Sequence, residues 1–229
     1  MRYDGQSDWT DLGQVPDTTQ VYSFAVHQGR PYVCTWPNGS VFVYDPPKNQ
    51  WTNVGRLGQE KEVMGVAVYN GKLYAGTLPL GAVFRYDGPD QWTLTGQLDT
   101  TPDVTYRRVW SMAVFQGQLF AGTLPSGHVF SLEAGKCVTH DRELAPGWRH
   151  IVAVKAGGLL KLFIDGQCVA QSSRFDPAEY GLSTPLPLRI GFGPHDYFNG
   201  RMKDLRLYRR ALGEAEIRSL VSGQEPSNR

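Results

Sequence analysis

Short apolar runs of about six residues, each closed by turn-forming residues, set the rhythm of this chain. Met64 to Tyr69 is followed by Asn70-Gly71. Lys72 to Thr77 ends at a Pro79-x-Gly81 turn, Ala82 to Tyr86 follows, and a fourth run surrounds Trp92. Runs of this length, bounded by Gly, Pro and Asn, predict β-strands, and Asn70-Gly71 suits a tight hairpin. The same order of residues recurs. Ala67-Val-Tyr-Asn-Gly71-Lys-Leu-Tyr74-Ala-Gly76-Thr77-Leu-Pro79-Leu-Gly81 returns as Ala113-Val-Phe-Gln-Gly117-Gln-Leu-Phe120-Ala-Gly122-Thr123-Leu-Pro125-Ser-Gly127. An earlier copy is Ala25-Val-His-Gln-Gly29-Arg-Pro-Tyr32-Val-Cys-Thr35-Trp-Pro37-Asn-Gly39. The turn glycine advances from 29 to 71 to 117, steps of 42 and 46, and tryptophans stand at 9, 51 and 92.

Four short strands in about 42 residues is the size of one β-propeller blade. The expected organisation is a blade tail over 1–15, then repeats over about 20–57, 62–98 and 108–144. The third keeps its spacing but carries Val138 where its predecessors carry tryptophan. Three blades leave a ring incomplete, since propellers use about four to eight. The expectation is a fragment of a longer protein, or a homo-oligomer in which another chain completes the blades. The pattern Leu73-Tyr-Ala-Gly-Thr77, then Val83-Phe-x-Tyr-Asp-Gly88, then Trp92-Thr93, resembles propellers of the kelch and sialidase-repeat type. Asp87, Gly88 and Trp92, with Asp4, Gly5 and Trp9, and Asp45 with Trp51, echo the Asp-turn-Trp element of sialidase repeats without its leading serine. Such elements are structural: the Asp caps a turn and the indole packs between blades.

From Gly147 the period is gone. Trp148 to Val154 alternates as a strand, Leu159 to Ile164 forms a second turned by Asp165-Gly166, and Cys168 to Gln171 pairs back. Further strands are expected over 188–192 and 202–208, then a short helix over 213–220. Gly147-Trp-x-His-Ile-Val-Ala-Val, Leu162-Phe-Ile-Asp-Gly, Leu188-x-Ile-Gly, Phe198-x-Gly-x-Met-x-Asp-Leu-Arg-Leu-Tyr and Arg210-Ala-Leu-x-x-x-Glu-Ile resemble the C-terminal half of laminin-G-like, concanavalin A-like jelly-roll domains. The resemblance implies a partial sandwich over 145–222, completed by the blades or by another chain, and a disordered tail over 223–229. The fold class expected for the whole chain is therefore all-β: three four-stranded blades plus a partial jelly roll with a C-terminal helix.

Composition narrows the function. A net charge of +1 gives no field that selects nucleic acid or anionic membranes. No run approaches the ~18 apolar residues of a membrane-spanning helix. The start Met-Arg-Tyr-Asp-Gly has no apolar core of a secretory signal, so an extracellular or cell-surface location would come through a longer secreted protein. Cys34, Cys137 and Cys168 form no CxxC pair; their number leaves room for one bridge whose pairing the sequence does not assign, and the expectation is small buried hydrophobes. The five histidines have no metal-site spacing, and no Gly-x-Ser-x-Gly elbow is present. Sialidase-type arginines cannot be placed, because Arg85, Arg107 and Arg108 occupy unequal positions in their units. No catalysis is expected. No cofactor is expected either, apart from the calcium that laminin-G-like domains often bind; Asp176 and Asp196 lie in suitable loops without a dense acidic set.

Binding residues are sought on repeated loops. The Thr-x-Pro-x-Gly loops supply Thr35, Trp36, Asn38, Thr77 and Thr123, with Trp36 able to stack on a sugar ring. The four residues gained by the third unit fall in Asp99 to Arg108, where Arg107, Arg108 and Trp110 are cationic and aromatic. The expected function is recognition of a glycan or protein partner. An accessory region of a larger secreted carbohydrate-active enzyme and a purely structural module are the alternatives.

Overall fold

The computed structural model describes residues 2–3, 9–185 and 187–223. Its regular structure is all-β but for a 3₁₀ turn and one short helix. β1 (Arg2–Tyr3) and β2 (Trp9–Thr10) pair with each other; residues 4–8 of the expected blade tail lie outside the described residues. β3 (Gln20–His27), β4 (Arg30–Trp36), β5 (Ser40–Asp45) and β6 (Gln50–Arg56) form one antiparallel four-stranded sheet in sequence order. β7 (Glu62–Tyr69), β8 (Lys72–Leu78), β9 (Ala82–Gly88) and β10 (Gln91–Gln97) form a second. Register repeats between them: Gln20 faces Trp36 as Glu62 faces Leu78, and Phe24 faces Val33 as Val66 faces Ala75. The two sheets share one core, in which Cys34, Val41 and Val43 of the first meet Val63, Leu73, Ala75 and Phe84 of the second.

The third repeat forms only three strands, β11 (Arg108–Phe115), β12 (Gln118–Leu124) and β13 (Val129–Leu132), so the expected third four-stranded unit is corrected. The reason lies in the lost tryptophan. In the first two sheets the last strand is locked by a ring pair, Tyr44 with Trp51 and Tyr86 with Trp92, each with centroids 5.0 Å apart. The Trp92 indole also donates to the Val54 carbonyl at 3.0 Å. Val138 offers neither contact. The chain there is held through side chains instead, with Gln116 N–H donating to Asp141 at 2.9 Å and Gly117 N–H to Thr139 at 3.1 Å.

Downstream, β14 (Ile151–Ala156), β15 (Leu159–Ile164) and β16 (Gln167–Gln171) make a three-stranded meander. α1 (Glu214–Val221) packs Ile217, with Leu212, against Val154 and Phe163. Glu216 donates nothing but accepts Gly213 N–H at 2.8 Å and the Arg210 guanidinium, a capping arrangement that fixes the helix start. The strands expected over 188–192 and 202–208 do not form; the first segment holds only an isolated bridge at Phe192. Residues 194 and 195 give their carbonyls to Gln28 and Gly29 N–H instead, at 2.9 and 2.8 Å. Residues 202–208 alternate but find no ladder to join, and Leu205 and Leu207 stay exposed. Gly223 is described as a turn residue; the rest of the expected tail, 224–229, lies outside the described residues.

The chain divides into two compact units. The first contains the described parts of Met1–Ala113, Leu119–Leu132 and Arg189–Asn199; the second contains those of Val114–Gln118, Glu133–Leu188 and Gly200–Arg229. Among the described residues no helix is long and apolar enough to cross a membrane.

Candidate functional site

The three Thr-x-Pro-x-Gly loops are built alike. Each carries a cis peptide bond before its proline, at Pro37, Pro79 and Pro125. The threonines point inward. Thr35 Oγ1 donates to Ser40 O at 2.8 Å, Thr77 Oγ1 to Ala82 O at 3.1 Å, and Thr123 Oγ1 to His128 O at 3.1 Å. All three are buried, so their hydroxyls close the loops rather than face a ligand. Gly39, at φ +57°, lies so close to the Glu60 carbonyl that a Cβ there would overlap it. Asn38 is exposed and donates to Asp17 O at 2.9 Å; Trp36 is half-buried.

Each linker between sheets delivers a carboxylate to the next loop. Glu60 Oε2 accepts Leu80 N–H at 3.1 Å, and Asp99 Oδ2 accepts Ser126 N–H at 3.1 Å, one residue before Gly81 and Gly127 respectively. Both acids are buried. Burial pushes the Glu60 carboxyl up, against the hydrogen bonds from Leu80 and Thr77. Burial works the same way on Asp99, but hydrogen bonds from Thr101 and Ser126 outweigh it and hold that carboxyl at about 2. The insert that begins at Asp99 therefore folds inward at its start: Thr101 donates to Asp99 through both N–H and hydroxyl, and Arg107 Nε donates back to Thr101 O at 2.7 Å.

Arg107 is thus spent on backbone, whereas Arg108 is not. The Arg108 guanidinium lies over the rings of Tyr106 and Trp110, at 6.0 and 5.7 Å from their centroids. Its Nε is buried with no hydrogen-bond partner among the described residues. Both rings are half exposed to solvent. Tyr22 donates to Glu62 Oε2 at 2.8 Å. Burial, that hydrogen bond and the Glu62 charge push the Tyr22 phenol up to about 12, while the nearby Arg108 charge pulls it down. Tyr22 on β3, Glu62 at the start of β7 and Arg108 at the start of β11 therefore share one locale in the first unit.

Arg108 and Trp110 were legible in the sequence as cationic and aromatic residues. Gln20, Tyr22, Glu62 and Tyr106 were missed. The signal was present: the steps of 42 and 46 that relate the turn glycines also relate Gln20 to Glu62 to Arg108, and Tyr22 to Met64 to Trp110. Equivalent positions at the ends of the first strands hold three different polar groups, while the loop threonines do not change.

The second unit holds a shallow cavity of about 370 Å³ lined by His140, Arg142, Glu143, Arg149 and Asp165 among others. Arg149 is already committed, to Asp165 at 3.0 Å and to the carbonyls of Ala145 and Pro146. Among the described residues no group of three or more His, Cys, Asp or Glu is arranged to hold a metal ion. Asp176 and Asp196 each accept a local backbone N–H, from Ala178 and Tyr197. The three cysteines are free thiols; Cys34 is buried as expected, Cys137 is half-buried and Cys168 is exposed.

No curated protein matches this sequence. Among solved structures, an S-layer domain-containing protein (residues 221–444) from Clostridium thermocellum ATCC 27405 is similar at 17% identity. The alignment covers 64% of this chain and 87% of that one at a TM-score of 0.25, a likeness too weak to carry any argument. The model of the concanavalin A-like lectin/glucanases superfamily matches residues 84–218, reaching back from the C-terminal meander into the second sheet. With well over half of its length matched, and with an all-β architecture of small antiparallel sheets, the chain belongs to the concanavalin A-like lectin/glucanase superfamily.

Proposed function

We propose that this protein is a non-catalytic recognition module for saccharides, and that its binding surface lies where the first strands of the repeated sheets begin. The observation that carries the reading is Arg108, a guanidinium lying over two half-exposed aromatic rings. Aromatic faces offer flat apolar area to a sugar ring. A guanidinium and a carboxylate, as Arg108 and Glu62 supply, are groups that bond directionally to sugar oxygens. Gln20, exposed at the equivalent position of the first repeat, extends the polar set.

The sheets themselves are read as propeller-type blades. Their four-stranded meanders, repeated register and face-to-face core support that reading. In such an arrangement the starts of successive first strands gather on one side. A cell-surface or extracellular location is proposed together with this reading.

The test is binding to a glycan array, run beside hydrolysis of a fluorogenic glycoside panel. Array binding without hydrolysis is the expected result. Turnover that an Arg108→Ala variant abolishes would replace recognition with catalysis, and absence of any saccharide binding would remove the reading.

A further inference from the structure

The two ends of the stacked sheets expose faces that are buried between them. On the face of the first sheet that carries Val33 and Phe42, Val21, Phe24 and Val26 of β3 are 41%, 65% and 41% exposed. Their counterparts one repeat later, Val63 and Val68, are 0% and 7% exposed, and Val66 packs against the shared core. The difference is the neighbour: the first sheet covers the second, and among the described residues no repeat sheet covers the first. Val15 and Trp51 shield only Val33 and Phe42. The Trp51 indole N–H is buried without a hydrogen-bond partner among the described residues, whereas that of Trp92 donates to Val54 of the preceding sheet.

The opposite face tells the complementary story at the other end. Val41 and Val83 are 0% and 4% exposed, Val41 within the core shared with the sheet that follows it. Val129, their counterpart on β13, is 71% exposed. All of these residues lie in the first unit. One chain thus presents both halves of a contact that it already makes internally, at opposite ends of the stack.

We infer that a second copy of this chain covers these faces head to tail, the Val129 face of each copy seated on the Val21–Phe24–Val26 face of the other. The contact continues the geometry by which the first sheet covers the second. Two copies bring six repeat sheets, three from each chain, within the roughly four to eight blades that close a propeller ring. In the pair both contacts are made at once, related by a two-fold axis, so no face is left to extend the assembly into a fibre. This count rests on the blade reading proposed above, whereas the contact itself rests on burial.

The test is molar mass by light scattering after size-exclusion chromatography of the whole chain, 25.5 kDa as a monomer. The wild type is expected at twice that mass. Phe24→Asp and Val129→Asp each place a charge in both contacts and are expected as monomers; both sites are exposed, and circular dichroism checks that the fold is kept. An equimolar mixture of the two variants is expected to regain dimers, because one contact in the mixed pair joins two unaltered faces. A monomeric wild type, variants that remain dimeric, or a mixture that stays monomeric would each overturn the inference. Saccharide binding is read separately through Arg108, so either proposal can fail while the other stands.

Discussion

The stacked sheets of residues 20–97 and the meander of residues 151–171 answer the same physical problem differently. Each four-stranded sheet buries its face against a neighbour of the same design, and one core runs through both. The meander buries one face against a single helix, through Val154, Phe163, Leu212 and Ile217, and leaves Ile151 and Val169 in solvent. Repetition lets a short hairpin unit share its core with the next unit. A region without that device depends on a few large side chains. Cooperative resistance should therefore be distributed in the first region and concentrated in the second.

That contrast can be broken from either side. Phe163→Ala removes the largest buried side chain of the helix-meander core. It should cost about 3–5 kcal/mol, read as hydrogen exchange rising across 151–171 and the helix while amides of 62–78 keep their protection. Equal loss of protection in both regions would show one common core. Gly39→Ala attacks the first region. It forces a side chain into the left-handed backbone region and against the Glu60 carbonyl, costing about 2–4 kcal/mol by urea unfolding, with the sheet pair loosened and the helix-meander core spared.

Thr77→Val is a finer probe of the same loops. It leaves the Ala82 N–H and carbonyl without their buried partner, and the expected loss is about 1–2 kcal/mol. The smallest effect is a pH dependence. The Asp99 carboxyl sits lower in the folded chain than in the unfolded one, so its contribution is present above the ordinary carboxylate range and is lost as pH falls toward about 2. Asp99→Asn should be less stable at neutral pH and should lose that part of the acid sensitivity, seen as a flatter midpoint-against-pH curve below about pH 4.

The same contrast decided what the sequence could disclose. Strands in the repeated region were legible because three copies of each turn and apolar run reinforce one another: the strand expected over 64–69 runs from Glu62 to Tyr69. The strands expected over 188–192 and 202–208 rested on single copies of motifs, and strand pairing depends on a partner that local alternation cannot supply. Residues 189–199 instead join the turn at His27 to Gly29, where His27 Nδ1 also lies 2.9 Å from Pro194 O. The site was partly legible. Arg108 and Trp110 stood out by chemical type, but Thr35, Thr77 and Thr123 stood out by repetition alone, and here repetition marked loop closure. Gln20 and Glu62 carried the opposite signature, equivalent positions with different chemistry, which becomes informative once the register shows that they begin equivalent strands of two sheets.

The most direct test of the recognition surface is a calorimetric titration of an array-selected saccharide into the wild type, Arg108→Ala and Trp110→Ala. The account predicts that each substitution weakens binding by about 2 kcal/mol, roughly 30-fold, with the thermal midpoint little changed, because Trp110 is exposed and Arg108 is half-buried with no hydrogen-bond partner for its Nε among the described residues. Unchanged affinity in both variants would contradict it and move the binding surface away from the first-strand ends.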